Sequence, residues 1–193
     1  MKVVVLAGGF GTRLSEYTTT IPKPMVAIGG KPILEHIMDI YSKYSHNEFY
    51  IALGYKSELI KDYFYNYKIL RSDFKINLKT GDIFPYRDYS KEWTVNLINT
   101  GQNSMTGGRL LRLQPYLDET FFFTYGDAVS DLDIHELLRF HKAKKKLVTI
   151  TAVRPPARFG QLNINNSDIV TSFEEKPQVK QGWINGGFFV IEP

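Results

Sequence analysis

A short run of β-branched residues that leads directly into glycines constrains the fold of this chain more than any other feature. Residues 2–6, KVVVL, are apolar enough to form a strand buried on both faces, and Gly8, Gly9 and Gly11 follow at once. Glycines at the end of a strand let the backbone approach a ligand closely and point N–H groups at it. The chain is therefore predicted to begin with a parallel strand that feeds an anion-binding loop.

The loop itself, LAGGFGTRL at residues 6–14, does not match the common phosphate-binding loops. It has no Gly-Lys-Ser/Thr ending, and it lacks the final glycine of the dinucleotide-binding fingerprint. Arg13 adds a planar, permanently charged donor fork, and Lys23 lies ten residues further on between two prolines that stiffen the backbone. These features predict a polyphosphate site. Plainer interpretations stay open, namely a tight strand-to-helix turn for the glycines and a surface position for Lys23.

Strand and helix patterns alternate along the rest of the chain. Apolar residues recur at helical spacing after Pro32, and further patterns predict helices at 57–67, 108–117 and 133–144 and strands at 49–53, 73–78, 93–99, 120–125 and 147–153. Such alternation predicts an α/β fold with a mostly parallel sheet flanked by helices, with ligands at the carboxyl ends of the strands. After Pro155 and Pro156, short strands at 161–165, 169–174 and 188–191 predict a small antiparallel extension for a second substrate.

Composition narrows the possible classes of protein. A chain of 193 residues that is 43% hydrophobic can form one substantial core, so residues 1–193 are predicted to be a single domain. No apolar run approaches the roughly 20 residues of a membrane span, and the first glycines come too early for a signal peptide, which predicts a cytoplasmic protein. The absence of cysteine excludes thiolate metal sites and favours Mg²⁺ on oxygen ligands, and a net charge of +4 is too small to indicate nucleic-acid binding.

Asp127 is the candidate metal ligand. It follows Gly126 and the very apolar predicted strand at 120–125, so its carboxylate is expected at the carboxyl edge of the sheet, although a helix cap or turn is the alternative. Lys176, beside two glutamates, is either a substrate lysine or a paired surface lysine. The histidines show no ligand spacing and are predicted to be structural or exposed: His36, His46, His135 and His141.

Taken together, these segments resemble the sugar-nucleotide pyrophosphorylases. Residues 6–14 and the Lys23-Pro24 pair are similar to that family's signature, and similar blocks follow in the family's order at residues 100–110, 123–127, 130–133, 158–160, 173–177 and 184–189. The resemblance covers essentially the whole chain and implies the nucleotidyltransferase (Rossmann-like) fold, with a mixed, mostly parallel sheet. It is strongest to the members that use CTP, because TGQNSMTGGRL at residues 100–110 is similar to the segment that lines their nucleotide site.

The resemblance implies a reaction, in which a cytidylyl group passes from CTP to α-D-glucose 1-phosphate and gives CDP-glucose and pyrophosphate. It further implies Mg²⁺ as cofactor, a homo-oligomer with the hexamer as one candidate size, no nucleic-acid or membrane partner, and a role in sugars of a surface polysaccharide such as O antigen. Family members continue beyond the position of residue 193 with a second metal-binding aspartate. Uridylyl or thymidylyl transfer stays open because base choice can depend on few hydrogen bonds, and so does a non-catalytic nucleotide-binding subunit.

The resemblance also assigns roles to individual residues. Catalytic roles are assigned to Arg13, Lys23 and Lys176, and the metal role to Asp127. Nucleotide or substrate contacts are assigned to Leu6, Ala7, Gly8, Gly9, Phe10, Gly11, Thr12, Arg13, Lys23, Ser104, Arg109, Gly126 and Asn185. Because a sugar-phosphate oxygen is already an anionic nucleophile, the protein is expected to position groups and neutralise charge rather than to transfer protons.

Overall fold

A computed structural model describes residues 1–11, 20–155, 161–175, 177 and 182–193. The chain divides into two compact units, of which the larger contains Met1–Thr149 and Phe189–Pro193 and the smaller contains Ile150–Phe188. That the two together act as one domain stays a prediction. No helix in the described part of the chain is long and apolar enough to cross a membrane.

Strands and helices alternate as the sequence predicts. The strands are β1 (Lys2–Leu6), β2 (Ala27–Ile28), β3 (Lys31–Pro32), β4 (Glu48–Leu53), β5 (Ser72–Ile76), β6 (Ile83–Asp88), β7 (Thr94–Asn99), β8 (Phe121–Tyr125), β9 (Val148–Val153), β10 (Gln161–Ile164), β11 (Val170–Glu174) and β12 (Ile184–Ile191). The helices are α1 (Ile33–Ser42), α2 (Ser57–Tyr65), α3 (Tyr67–Leu70), α4 (Thr106–Leu113) and α5 (Ile134–Lys144). Short 3₁₀ helices cover Lys23–Met25 and Gln114–Tyr116.

The main sheet has β1 near its centre. Among the described residues, six strands hydrogen-bond in the order β7-β4-β1-β8-β12-β9. β1 is parallel to both β4 and β8, and β4 is parallel to β7. Val3, Val4 and Val5 are completely buried, as the unbroken apolar run of β1 predicts for a strand covered on both faces. The carboxyl ends of β1, β4, β7 and β8 therefore lie along one edge, and the predicted α/β architecture is confirmed.

Helix α1 packs on this sheet through an apolar face. The helix starts directly after Pro32, whose fixed φ suits a helix start, and it buries Leu34, Ile37, Met38 and Tyr41. The Tyr41 ring lies 5.4 Å from the Phe122 ring of β8, measured between centroids. Burial of each such side chain stabilises the fold by about 1.5–3 kcal/mol, so this face fixes α1, and with it the segment that precedes it, against the sheet.

Three small antiparallel pairs lie outside the main sheet among the described residues, and one of them joins β2 to β3. In the smaller unit, β10 pairs with β11, which confirms the antiparallel extension predicted for residues 161–165 and 169–174. The third strand predicted for that extension, at 188–191, is instead part of β12 in the main sheet. In the larger unit, β5 pairs with β6, and β6 was not predicted because Pro85 interrupts this exposed strand. β12 begins at Ile184 rather than at residue 188, because the glycines that follow Asn185 continue the strand instead of forming a turn.

Candidate active site

The glycine-rich loop leaves β1 in close contact with β4. Ala7 donates its N–H to the carbonyl of Ala52 at 3.1 Å, and Gly8 is buried while Gly9 is exposed. A side chain at Gly8 would collide with the guanidinium of Arg109 and lie 2.9 Å from the backbone N of Gly54, whereas one at Gly9 would meet nothing within 4 Å. The first half of the loop is therefore packed against protein, and the second half is open for a ligand.

Arg109, in α4, lies beneath this loop and connects three strand ends. Its side chain is buried, with 4% of its surface exposed. Its described hydrogen bonds all end on neutral oxygens: the carbonyls of Gly8 (2.8 Å), Gly101 (2.8 Å), Leu53 (3.0 Å) and Gln102 (3.2 Å), and Oγ1 of Thr100 (2.8 Å). Burial lowers the pKa of the Arg109 guanidinium, and the charge of Arg112 adds to the effect. A buried cation thus supports the loop without a carboxylate among these partners.

Ser104 and the side chain of Arg109 both lie at the turn between β7 and α4, around Gly101. Gly101 has a φ of +87°, a conformation that favours glycine, and a side chain there would lie 2.8 Å from Oγ of Ser104. The turn is fixed by the side chain of Asn99, which accepts from the N–H of Gly101 at 2.9 Å. Ser104 and Arg109, predicted from the block at residues 100–110, and Gly8, predicted from the glycine loop, are therefore brought together at one edge of the sheet.

Lys23 and Asp127 contact each other directly. Lys23 lies in the short helix between Pro22 and Pro24, and Asp127 follows β8; Nζ lies 2.6 Å from Oδ2. Both side chains are partly exposed, Lys23 by 26% and Asp127 by 37%, so the pair is accessible to a ligand from solvent.

Gly126 allows this approach between distant segments. A side chain there would collide with the carbonyl oxygen of Leu6 and lie 3.1 Å from Cγ of Pro24. The absence of a Cβ lets the end of β8 lie against both the end of β1 and the segment that carries Lys23. The lysine, the aspartate and the start of the glycine loop are consequently neighbours.

The donor set at Asp127 fits a Mg²⁺ ion that substrate phosphates help to hold. Within the described residues, no group of three or more His, Cys, Asp or Glu side chains is arranged to hold a metal. Mg²⁺ in nucleotide enzymes is commonly bound by one or two carboxylates together with phosphate oxygens and waters. Asp127 can supply such a carboxylate at a partly exposed position.

A cavity of about 680 Å³ opens beside Asp127 in the larger unit. Its lining includes Lys31, Lys43 and Lys91, so the approach to the aspartate is basic. Lys31 and Lys91 share the carboxylate of Asp39, which Lys91 contacts at 3.3 Å. The surplus of positive charge suits an anionic ligand, as the sequence predicts.

Other predicted site residues lie elsewhere or outside the described residues. Thr12, Arg13 and Lys176 belong to the part of the chain that the structure does not describe. Asn185 lies in the smaller unit, where its Oδ1 accepts from the N–H of Gly187 at 2.7 Å. Leu6 is partly buried and Ala7 is buried, whereas Phe10 is 43% exposed at the open side of the loop.

Sequence reasoning missed Gly54 and Tyr55 as parts of the site. A side chain at Gly54 would lie 2.6 Å from both the Gly8 carbonyl and Nη1 of Arg109, and Tyr55 donates its N–H to the same carbonyl at 3.2 Å. The Tyr55 ring also lies 5.3 Å from the ring of Phe10, measured between centroids. The sequence signal that could have revealed them is a glycine after a buried strand, since Gly54 follows β4 as the glycine loop follows β1.

This fold and this edge of the sheet are those of a nucleotidyl transferase, and the chain belongs to that family, whose model matches residues 2–193. Over the whole chain it is 51% identical to the glucose-1-phosphate cytidylyltransferase of Salmonella typhimurium, of which the match covers 76%. It is 41% identical to the probable glucose-1-phosphate cytidylyltransferase of Bacillus subtilis, over 100% of this chain and 75% of that protein.

Structural comparison agrees with this assignment. The crystal structure of HddC from Yersinia pseudotuberculosis complexed with GMP-PN matches with a TM-score of 0.67 at 27% identity, over 99% of this chain and 76% of that one. The predicted family and the predicted nucleotidyltransferase fold are both confirmed.

Proposed function

We propose that this protein transfers the cytidylyl group of CTP to α-D-glucose 1-phosphate, with CDP-glucose and pyrophosphate as products. The observation that carries the proposal is the 51% identity, across the whole chain, to an enzyme named for this activity. The ligand-accessible pairing of Lys23 with Asp127, next to the glycine loop, supports it from the structure. No general base is needed, because the sugar phosphate supplies an anionic oxygen as nucleophile.

The chain's own residues are proposed to neutralise and orient phosphate charge. The exposed half of the loop at Gly9 offers backbone N–H groups to the polyphosphate, and the ammonium of Lys23 offers a charge-assisted hydrogen bond. Arg13 and Lys176 are proposed to hold the nucleotide phosphates and the sugar phosphate, respectively. Asp127 would hold Mg²⁺, which when bound offsets the charge that develops on the transferred phosphate and on the departing pyrophosphate.

We propose that the segment from Thr100 to Arg109 forms the base side of the nucleotide site. Ser104 is partly exposed and lies against the Gly101 turn, so its hydroxyl is available to a ligand. Arg109 is proposed to act chiefly through the backbone, because its described bonds fix the carbonyls of Gly8 and Gly101. In this proposal the base side and the phosphate side share one buried support.

We further propose a homo-oligomer, on the basis of an exposed apolar hairpin in the larger unit. Between β5 and β6, Leu78 is 89% exposed, and in β6 Phe84 is 54% and Tyr86 71% exposed. A two-stranded hairpin alone is marginally stable in water, and clustered exposed apolar groups mark interfaces. Light scattering coupled to size-exclusion chromatography tests the assembly. Six times the chain mass would support a hexamer. A wild-type monomer would refute the oligomer, and an oligomer whose mass is unchanged after Phe84 and Tyr86 are changed to serine would refute this interface.

The activity is tested by pyrophosphate release with Mg²⁺, each of CTP, UTP, dTTP, ATP and GTP, and a panel of sugar 1-phosphates. Release confined to CTP and glucose 1-phosphate is expected. Preference for UTP or dTTP would keep the reaction class and correct the base. CTP binding without any release would favour a non-catalytic nucleotide-binding subunit.

Substitution of Lys23 by alanine tests the proposed chemistry. Loss of a charge partner for phosphate is expected to lower kcat/KM by about 30- to 5,000-fold, corresponding to roughly 2–5 kcal/mol. Lys43 lines the cavity beside Asp127 without an ion pair described to it, so Lys43→Ala is the matched control. Near-normal turnover of Lys23→Ala would remove Lys23 from the mechanism.

A further inference from the structure

We propose that Lys23 holds the place of the divalent cation on Asp127 in the ligand-free protein, so that metal and polyphosphate bind with strong positive coupling. This inference rests on the proposed function, because it takes Asp127 as the metal ligand and Lys23 as a phosphate partner. It goes further because, in this proposal, the Lys23 ammonium and the Asp127 carboxylate pair with each other until metal and polyphosphate bind.

The distance between the two groups makes shared use of the carboxylate unfavourable. Nζ of Lys23 lies 2.6 Å from Oδ2 of Asp127, within the range of a charge-assisted hydrogen bond. A Mg²⁺ ion on the same carboxylate would lie about 2.1 Å from an oxygen, and hence within a few ångströms of the ammonium. Like charges at that separation repel strongly in a partly buried site. Binding of a divalent cation there therefore weakens the pairing of the ammonium with Asp127 and favours its release.

The backbone around Lys23 is held, so the change is confined to the side chain. Pro24 is buried, the N–H of Met25 bonds to the Pro22 carbonyl at 2.8 Å, and the N–H of Val26 bonds to the Lys23 carbonyl at 3.1 Å. A lysine has a flexible four-carbon stem that ends in a compact charge. Rotation about that stem can carry the ammonium from the carboxylate to a phosphate without movement of the short helix.

Charge balance then couples the two ligands. A divalent cation alone must displace Lys23 and leave its ammonium without a partner. A polyphosphate alone must draw Lys23 away and leave the Asp127 carboxylate facing negative charge. When both bind, the carboxylate is paired with the cation and the ammonium with the phosphate, so no charge is left unpaired. Each ligand therefore favours the other, and by linkage the factor is the same in both directions.

The surroundings support Lys23 as the group that competes at Asp127. Other lysines line the cavity beside Asp127, but Lys31 and Lys91 contact the carboxylate of Asp39. Lys43 lines the cavity without an ion pair to Asp127 among the described contacts. Lys23 and Lys43 therefore differ in their contact with Asp127 while carrying the same charge, which makes them a matched pair for a test.

The first experiment measures Mn²⁺ binding to nucleotide-free protein by the electron paramagnetic resonance signal of free Mn²⁺. Lys23→Met is expected to bind Mn²⁺ about fivefold more tightly than wild type, the scale of a partly exposed ion pair. Lys43→Met, which makes the same charge change, is expected to stay within about twofold of wild type. Adding Asp127→Asn to Lys23→Met should abolish the gain. Failure of Lys23→Met to bind Mn²⁺ more tightly than Lys43→Met overturns the proposal.

The reciprocal experiment measures CTP binding by calorimetry in EDTA. Asp127→Asn frees Lys23 for phosphate, so metal-free CTP is expected to bind about fivefold more tightly than to wild type. Asp39→Asn removes a carboxylate that lines the same cavity but pairs with Lys31 and Lys91, and it is expected to have a smaller effect. An equal gain in the two variants would show only a general charge effect and would overturn the proposal.

Failure of the coupling and failure of the proposed function give different results. Wild-type protein that releases pyrophosphate from CTP, while Lys23→Met and Lys43→Met bind Mn²⁺ equally, would remain a transferase without the coupling. Wild-type protein that neither releases pyrophosphate nor binds CTP in the presence of Mn²⁺ would refute the function itself. Circular dichroism spectra that match wild type are required of each variant, so that a lost fold is not mistaken for either outcome.

Discussion

The buried guanidinium of Arg109 makes a quantitative prediction about stability. In Arg109→Met, two of its acceptors keep other donors, because Leu53 O accepts from Thr100 at 2.9 Å and Gly8 O accepts from Tyr55 at 3.2 Å. Gln102 is exposed, so water can replace the bond to its carbonyl. The Gly101 carbonyl is left without another described donor, which costs about 1–3 kcal/mol. With the lost side-chain contacts, we expect the free energy of unfolding to fall by about 2–4 kcal/mol.

Urea unfolding followed by circular dichroism measures this loss, and a thermal scan is expected to show a Tm lower by roughly 4–16 °C for a chain of this size. Arg112→Met is the matched control, since Arg112 lies one turn along α4 and is exposed. Its hydrogen bond within the described part of the chain runs from Nη1 to the Gly108 carbonyl at 3.1 Å. Its effect is expected to stay within about 0.5 kcal/mol. Equal stability of the two variants would refute the view that Arg109 supports the loop.

Three further predictions follow from particular contacts. Gly126→Ala is expected to reduce turnover at least about tenfold and the free energy of unfolding by about 1–3 kcal/mol, because the added methyl group collides with the Leu6 carbonyl. Gly107→Ala is the control, because Gly107 lies in a helix and has free space for a methyl group. Steady-state kinetics and urea unfolding that give equal results for the two variants would contradict this prediction. Glu35→Gln is expected to lower stability by about 1–3 kcal/mol, since the buried carboxylate accepts from Arg71 at 2.7 Å and from Tyr63; a urea midpoint equal to that of wild type would contradict it. Burial lowers the pKa of His46 to about 4, with smaller effects from the N-terminal ammonium and His135. As the pH falls, the unfolded chain therefore binds a proton at this histidine before the folded chain does. The free energy of unfolding consequently falls as the pH drops from about 6.5 towards 4. Between pH 7.5 and 5, the free energy of unfolding of His46→Gln should fall by about 1 kcal/mol less than that of wild type, after allowance for solvent screening. Equal falls for the two proteins in urea titrations would count against this pKa.

Local signals in the sequence were sufficient for much of the fold. The valines of β1 and the phenylalanines of β8 form unbroken apolar runs, and a strand buried on both faces needs that pattern. Helix α1 follows Pro32 with apolar residues at helical spacing, and its start was predicted for that reason. By contrast, β6 carries Pro85 and is exposed along its length, so no periodic pattern marked it.

The candidate site was predicted as a set of residues but not as an arrangement. Lys23 and Asp127 were each assigned a role, yet a hydrogen bond between positions 104 residues apart depends on the tertiary packing of β1 against β8. Arg109 was expected at the nucleotide, whereas its described hydrogen bonds are directed inward to protein oxygens. A guanidinium does not reveal from its neighbours in sequence whether it points to a ligand or to backbone carbonyls. The roles of Arg13, Lys176 and Asn185 stay predictions.

The position of Arg109 has a practical consequence for anyone who tries to re-engineer nucleobase preference. Residues 100–109 are the obvious segment to mutate for that purpose, but their backbone is connected through one side chain to the Gly8 carbonyl and to the end of β4. If the segment binds the base as proposed, a library that varies it is expected to disturb the glycine loop through Arg109, and many of its members are expected to lose turnover before they gain a new substrate. Libraries that hold Arg109, Gly101 and Gly54 constant should retain more active members, because those three positions connect the loop after β1 to the turn after β7.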